Sequence, residues 1–118
     1  MILADTSVWI EHLRQKVPAL TDLLLEGLIL IHPMVIGEIA CGNLKNRAEI
    51  RSNLQALPTS TVATHAEVMQ LIEDHRLWGR GLGLIDMHLL SAALLSGGKL
   101  WTLDKRLAEA AKELGVWA

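Results

Sequence analysis

Hydrophobic residues fall along this chain in two rhythms: short unbroken runs, and longer stripes at helical spacing. The unbroken runs are Met1–Ala4, Leu28–Ile31 (LILI) and Leu100–Leu103. Each is too short for a helix and apolar at every or nearly every position, which suits a strand buried on both faces. Ser60–Ala63 and Val116–Trp117 are shorter candidates of the same kind. Between them lie helical segments. Ser7–Arg14 follows Asp5, Thr6 and Ser7, any of which can cap it. Pro18 fits the first turn of a helix reaching Glu26, where Gly27 stops it. Pro33 opens PMVIGEIACG, which closes near Gly42. Arg47–Leu57 carries Ile50, Leu54 and Leu57 at i, i+4 and i+7, and Pro58 ends it. Thr64 and Glu67 form a capping-box pair at the start of a helix that carries Val68, Leu71, Ile72 and His75 and closes around Trp78. Gly79–Gly83 (GRGLG) reads as a loop. Ile85–Ser96 is an almost wholly apolar helix stopped by Gly97-Gly98, and Lys105–Leu114 is the last helix, with Gly115 after it.

Strands that alternate with helices predict an α/β fold with a parallel sheet. Ligands of such sheets sit beyond the carboxyl ends of the strands, where the strand order reverses. Two strands here end in acids, Asp5 and Asp104. If those strands are neighbours, their carboxylates converge.

Composition narrows the class. The chain has 118 residues, which fits one domain spanning 1–118, and 51% hydrophobic residues, enough for a packed core. Phe and Tyr are absent, so that core must be aliphatic, helped by four Trp and four Met. The apolar fraction is high for this size, and a homo-oligomer or a protein partner would cover the excess. The net charge of −2 provides no global field for nucleic acid, so any polyanion contact must be local or carried by a cation. The single cysteine, Cys41, cannot form an intramolecular disulfide, and neither a secretory signal nor a membrane-spanning segment is expected. A soluble, cytoplasmic protein is expected.

Four acids stand in apolar company: Asp5, Glu38 within VIGEIACG, Asp86 within LGLIDMHLL, and Asp104 within LWTLDKRL. Singly, the three Asp residues read as helix caps and Glu38 as a solvent-facing side chain. Together they suggest a cluster. Two carboxylates ~4 Å apart repel by about 4 kcal/mol at an effective dielectric of 20, so such a cluster takes up either a proton or a cation. Oxygen-only ligands suit Mg²⁺ or Mn²⁺. The five histidines lack metal-ligand spacing.

These residues, in this order, resemble the PIN-domain ribonucleases, and in particular the VapC-type toxins of prokaryotic toxin–antitoxin pairs. The resemblance rests on ILADTSVWI, VIGEIACG, GLGLIDMHLLSAALL and LWTLDKRLAEAAKELGV, and it covers essentially the whole chain. It implies a three-layer α/β/α fold with a five-stranded parallel sheet in the order 3-2-1-4-5. It further implies a Mg²⁺-dependent endoribonuclease (Mn²⁺ being an alternative ion) in which Asp5, Glu38, Asp86 and Asp104 are the metal-binding and catalytic acids. Ser7, Thr6 and Thr102 would support them by hydrogen bonding. RNA is then the substrate, a cognate antitoxin the inhibitor and a homodimer the usual assembly. Some relatives carry a further acid shortly after the position of Asp104. Lys105 and Arg106 stand there in this chain, which weighs against a second tightly held ion.

Arg80, Lys105 and Arg106 flank the acids and are the candidate contacts to the RNA backbone. Lys45, Arg47 and Arg51 read as a solvated helix face, and Trp9 and Trp78 as core residues. Two rival classes remain. A receiver-like phosphoacceptor signalling domain needs an Asp at the end of its third strand, and Ser60–Ala63 has none. A non-catalytic PIN-like interaction module has no need of all four acids.

Overall fold

The computed structural model describes residues 1–118. Three parallel strands form its sheet, in the order β2-β1-β3: β1 (Ile2–Ala4), β2 (Ile29–Leu30) and β3 (Lys99–Trp101). β1 is central, with Leu3 opposite Leu30 on one side and Leu100 on the other. All three leucines are buried, as the unbroken apolar runs require. The chain between β1 and β2 forms α1 (Thr6–Arg14) and α2 (Pro18–Leu25). Between β2 and β3 it forms α3 (Pro33–Ala40), α4 (Arg47–Gln55), α5 (His65–Asp74) and α6 (Leu84–Ser96), and α7 (Lys105–Glu113) follows β3. The sheet grows in opposite directions from β1, so right-handed crossovers place α1–α2 and α6 on opposite faces. α6 is the central helix, buried continuously from Met87 to Ala93.

The five expected strands are not all formed. Thr59 joins Ile31, and Trp117 joins Leu100, each as a single parallel bridge rather than a strand. The Ile31 bridge has two hydrogen bonds, from the Ile31 N–H to Pro58 O (2.9 Å) and from the Ser60 N–H to Ile31 O (2.9 Å). It cannot extend, because His32 already caps α3 and Pro33 has no N–H to give. Ser60–Ala63 therefore runs unpaired beyond its first residue. On the other side, β3 ends at Trp101 because Thr102–Asp104 turns into α7, so Val116–Ala118 finds one partner, Leu100.

Local signals set the helix ends. The Thr64–Glu67 capping box forms in both directions, at 2.9 and 3.1 Å. The helix it opens stops at Asp74, short of Trp78, after which Arg76 adopts a left-handed conformation. Gly97 closes α6 at φ 66°, a conformation that suits glycine.

Candidate metal centre

β1 and β3 are neighbours, and both end at the same edge of the sheet. The Asp5 N–H donates to Trp101 O at 2.9 Å, which extends the ladder one residue beyond β1 and brings the Asp5 side chain beside Thr102. Asp5 is only 5% exposed. Its Oδ1 accepts from the Ser7 hydroxyl (2.5 Å) and the Val8 N–H (3.1 Å), and its Oδ2 accepts from the Thr102 hydroxyl. The supports are themselves held: the Leu103 N–H donates to Ser7 Oγ and the Asp104 N–H to Thr102 Oγ1, both at 3.0 Å. Asp5 caps α1, and Asp104 caps α7 through Oδ1, which accepts from the N–H groups of Arg106 (2.9 Å) and Leu107 (3.1 Å). Asp86, in the first turn of α6, accepts from the Gly83 N–H at 3.0 Å through Oδ2. Glu38 accepts from the Thr6 hydroxyl at 2.5 Å through Oε1, which ties α3 to α1. Three helix N-termini, each a partial positive charge, are thus met by carboxylates.

Asp86 reports how these acids act together. Its carboxyl is pushed above the ordinary Asp range, first by burial and then by the negative charges of Asp104, Asp5 and Glu38. Burial likewise raises Asp5, against the lowering effect of its hydrogen bonds from Ser7, Thr102 and Val8. None of the four acids is ion-paired with a protein cation, the ion pairs of the chain being Arg14–Glu11 and Arg80–Glu113. Asp86, Asp104 and Glu38 each keep one carboxylate oxygen with no protein partner. Uncompensated charge with free, hard oxygen donors fits a divalent cation such as Mg²⁺ or Mn²⁺. The acids do not, however, form a closed ligand cage: no three of them converge on one point closely enough to hold an ion. Asp86 and Asp104 each spend one oxygen on a helix terminus, and Glu38 leans on Thr6.

The same charge has a stability signature. Between the ordinary Asp value and the raised value of Asp86, the folded protein binds more protons than the unfolded chain, so stability falls as pH rises through that window. In metal-free protein, Asp86→Asn is expected to raise the melting temperature at pH 7 by a few degrees and to flatten this slope, with the Asn carbonyl still accepting from Gly83. Thermal melts in EDTA between pH 4 and 7 check it; an unchanged or lower melting temperature at pH 7 contradicts the charge coupling.

The family model of the PIN domain matches residues 2–113. This chain belongs to the PIN-domain family. The domain is 50% identical over 117 residues to Ribonuclease VapC32 of Mycobacterium tuberculosis, in both strain CDC 1551 / Oshkosh and strain H37Rv, covering 98% of this chain and 94% of that protein. A crystal structure of PAE2754 from Pyrobaculum aerophilum superposes with a TM-score of 0.68, at 19% identity, over 94% of this chain and 84% of that one, a likeness of fold.

Several side chains of this PIN domain lie elsewhere than their sequence setting predicts. Glu38 is exposed despite its apolar helical neighbours, because α3 presents it at the open edge of the sheet. Trp9 is buried as expected, but Trp78 is 56% exposed, since α5 ends before reaching it. Lys105 and Arg106 are exposed beside Asp104, whereas Arg80 is engaged by Glu113. A buried pair with no counterpart in the motif reading is His32 and His88, whose rings lie 6.4 Å apart, edge to face. His32 Nδ1 accepts the Met34 N–H, and burial together with His88 lowers its pKa, so it is a neutral helix cap.

Proposed function

We propose that this PIN domain is a metal-dependent endoribonuclease, the toxin of a VapC-type toxin–antitoxin pair, and that it hydrolyses RNA phosphodiester bonds with Mg²⁺ or Mn²⁺ held by Asp5, Glu38, Asp86 and Asp104. The observation that carries this reading is that Asp104, Asp5 and Glu38 bear on Asp86 by their charge and that none of the four acids is ion-paired with a protein cation. The relationship to a protein named a ribonuclease supports it.

The ion supplies Lewis-acid stabilisation of the charge that builds on the phosphate during attack by water. The residues divide the remaining work. Asp5 is locked by Ser7, Thr102 and Val8, so its carboxylate is oriented before any ligand arrives. Asp86 Oδ1 has no protein partner, which leaves it free to take the proton of the attacking water. Lys105 and Arg106 are free cations at the start of α7, placed to meet the phosphates on either side of the scissile one. Thr6 holds Glu38 toward the same edge.

A cognate antitoxin and a second copy of the chain are the partners we assign. Exposed apolar side chains, Leu25, Leu103 and Leu84 among them, give such partners surface to cover. No helix is long and apolar enough to cross a membrane, and we place the protein in the cytoplasm, where its RNA substrates are.

EDTA is expected to stop cleavage of total cellular RNA completely, and excess Mg²⁺ or Mn²⁺ to restore it. Cleavage that persists in EDTA after exhaustive dialysis refutes the metal-dependent reading.

A further inference from the structure

The loop Gly79–Gly83 leads directly into the Asp86 turn of α6, and two independent contacts fasten it to α7. Arg80 donates to both carboxylate oxygens of Glu113, at 2.6 and 2.9 Å, across 33 positions of sequence. One residue on, Gly81 lies against the side chain of Arg106. It has φ +76°, and a Cβ built there would come 2.6 Å from Arg106 Nη1 and 3.0 Å from its Cδ. The positive φ favours glycine, and a larger residue would in addition push the Arg106 side chain aside. The two contacts fall on the same stretch of α7, since Arg106 and Glu113 are seven positions apart and so lie on one helical face. The loop then ends at Gly83, whose N–H is held by Asp86. Arg106 itself follows Asp104 by two residues, and its N–H is held by Asp104.

We propose that Arg80 and Glu113 are positioning residues: their ion pair, beside the packing of Gly81 on Arg106, straps the Gly79–Gly83 loop to α7 and so helps fix the Asp86 turn of α6 relative to the Asp104 turn of α7. This rests on the metal-centre reading above and adds to it how two of its acids, which share no direct contact, are kept in register. The packing of α6 and α7 against β3 sets the coarse placement of the two helix starts, and the strap adds a direct link between the loop before Asp86 and the helix after Asp104. It also gives Arg80 a role other than an RNA contact. A surface ion pair contributes little to global stability, so the effect of the strap is local.

The test compares Arg80→Ala, Glu113→Ala and the charge swap Arg80→Glu/Glu113→Arg in the full chain. Amide hydrogen exchange over residues 79–86 reads the strap. Isothermal titration with Mn²⁺, without RNA, reads its consequence. Either alanine variant is expected to accelerate exchange in that segment roughly two- to five-fold and to weaken Mn²⁺ binding by no more than the same factor, because coupling between two sites is reciprocal and limited by the contact that carries it. The melting temperature stays within about a degree of the unmodified protein, and the swap restores both readouts. If Arg80 instead serves RNA, Arg80→Ala lowers RNA affinity while Glu113→Ala leaves or raises it, exchange is unchanged and the swap rescues nothing; that pattern overturns the proposal. Unmodified protein that binds no Mn²⁺ counts against the metal centre itself, and the exchange data then still decide whether the strap exists. Unchanged exchange in both alanine variants overturns the strap whatever the metal result.

Discussion

Asp5→Asn is expected to reduce RNA cleavage by at least about two to three orders of magnitude while leaving a folded protein. The charge lost is the one most deeply buried of the four and the best oriented. The neutral amide matches its size. Its carbonyl can still accept from Ser7 and the Val8 N–H, so the cap of α1 survives. Its NH₂ faces Thr102, whose hydroxyl must turn to accept it and direct its own proton to Ser7 Oγ, 3.4 Å away. That rearrangement is why the fold tolerates the change with little net gain or loss, despite removal of a buried negative charge. Single-turnover cleavage at saturating Mg²⁺, with circular dichroism to confirm the fold, measures it. Normal cleavage by folded Asp5→Asn protein removes Asp5 from the site and with it the centre of the proposal.

Thr102→Val carries the second largest effect, and it separates support from ligation. Valine keeps the β-branched shape that a buried strand end needs, and deletes one oxygen. Asp5 Oδ2, on a residue 5% exposed, then loses its donor, and the Asp104 N–H, on an exposed residue, its acceptor. Unmet polar groups of this kind cost about 1–3 kcal/mol each when fully enclosed. Loss of the hydroxyl also removes one of the interactions that hold the Asp5 carboxyl down, so its pKa rises further. The destabilisation is therefore greatest at neutral pH, where Asp5 must be charged, and shrinks as pH falls toward the ordinary Asp value. The Mg²⁺ concentration for half-maximal cleavage is expected to rise about 10- to 100-fold, the usual effect of losing a group that orients a ligand. Thr102→Ser restores both properties. Urea denaturation at pH 7 and pH 4, with a Mg²⁺ titration of activity, provides the check; equal destabilisation at the two pH values contradicts the link through Asp5.

Much of this arrangement was legible in the residues, and the reasons differ from part to part. β1, β2 and β3 declared themselves because strands buried on both faces leave an unbroken apolar run. α6 did so because only a central helix can be apolar all round. That the strands ending at Asp5 and Asp104 lie side by side followed from general sheet topology, and the β1–β3 pairing bears that adjacency out. The outer strands were not legible, because whether Ser60–Ala63 pairs depends on where β2 stops, and β2 stops at a histidine that caps the next helix. Glu38 stands in apolar company along its own helix, and that company says nothing of the open sheet edge where the exposed side chain reaches Thr6. The Arg80–Glu113 contact left no local trace, since a surface pair joining distant segments imposes no periodicity. Trp78 was misplaced for a similar reason: hydropathy assigned it inward, and a helix one turn shorter than its pattern left it in solvent.

Asp5, Asp86 and Asp104 each anchor the start of a helix with the same side chain that carries the charge. Architecture and reactivity are therefore tied at three positions, and a lineage under pressure to silence the protein has few cheap ways out. Alanine or valine at any of them would fray a helix, whereas asparagine or serine would spare it. Inactive descendants should accordingly be written in amides and hydroxyls at these three positions, shells that keep their shape after the chemistry has gone.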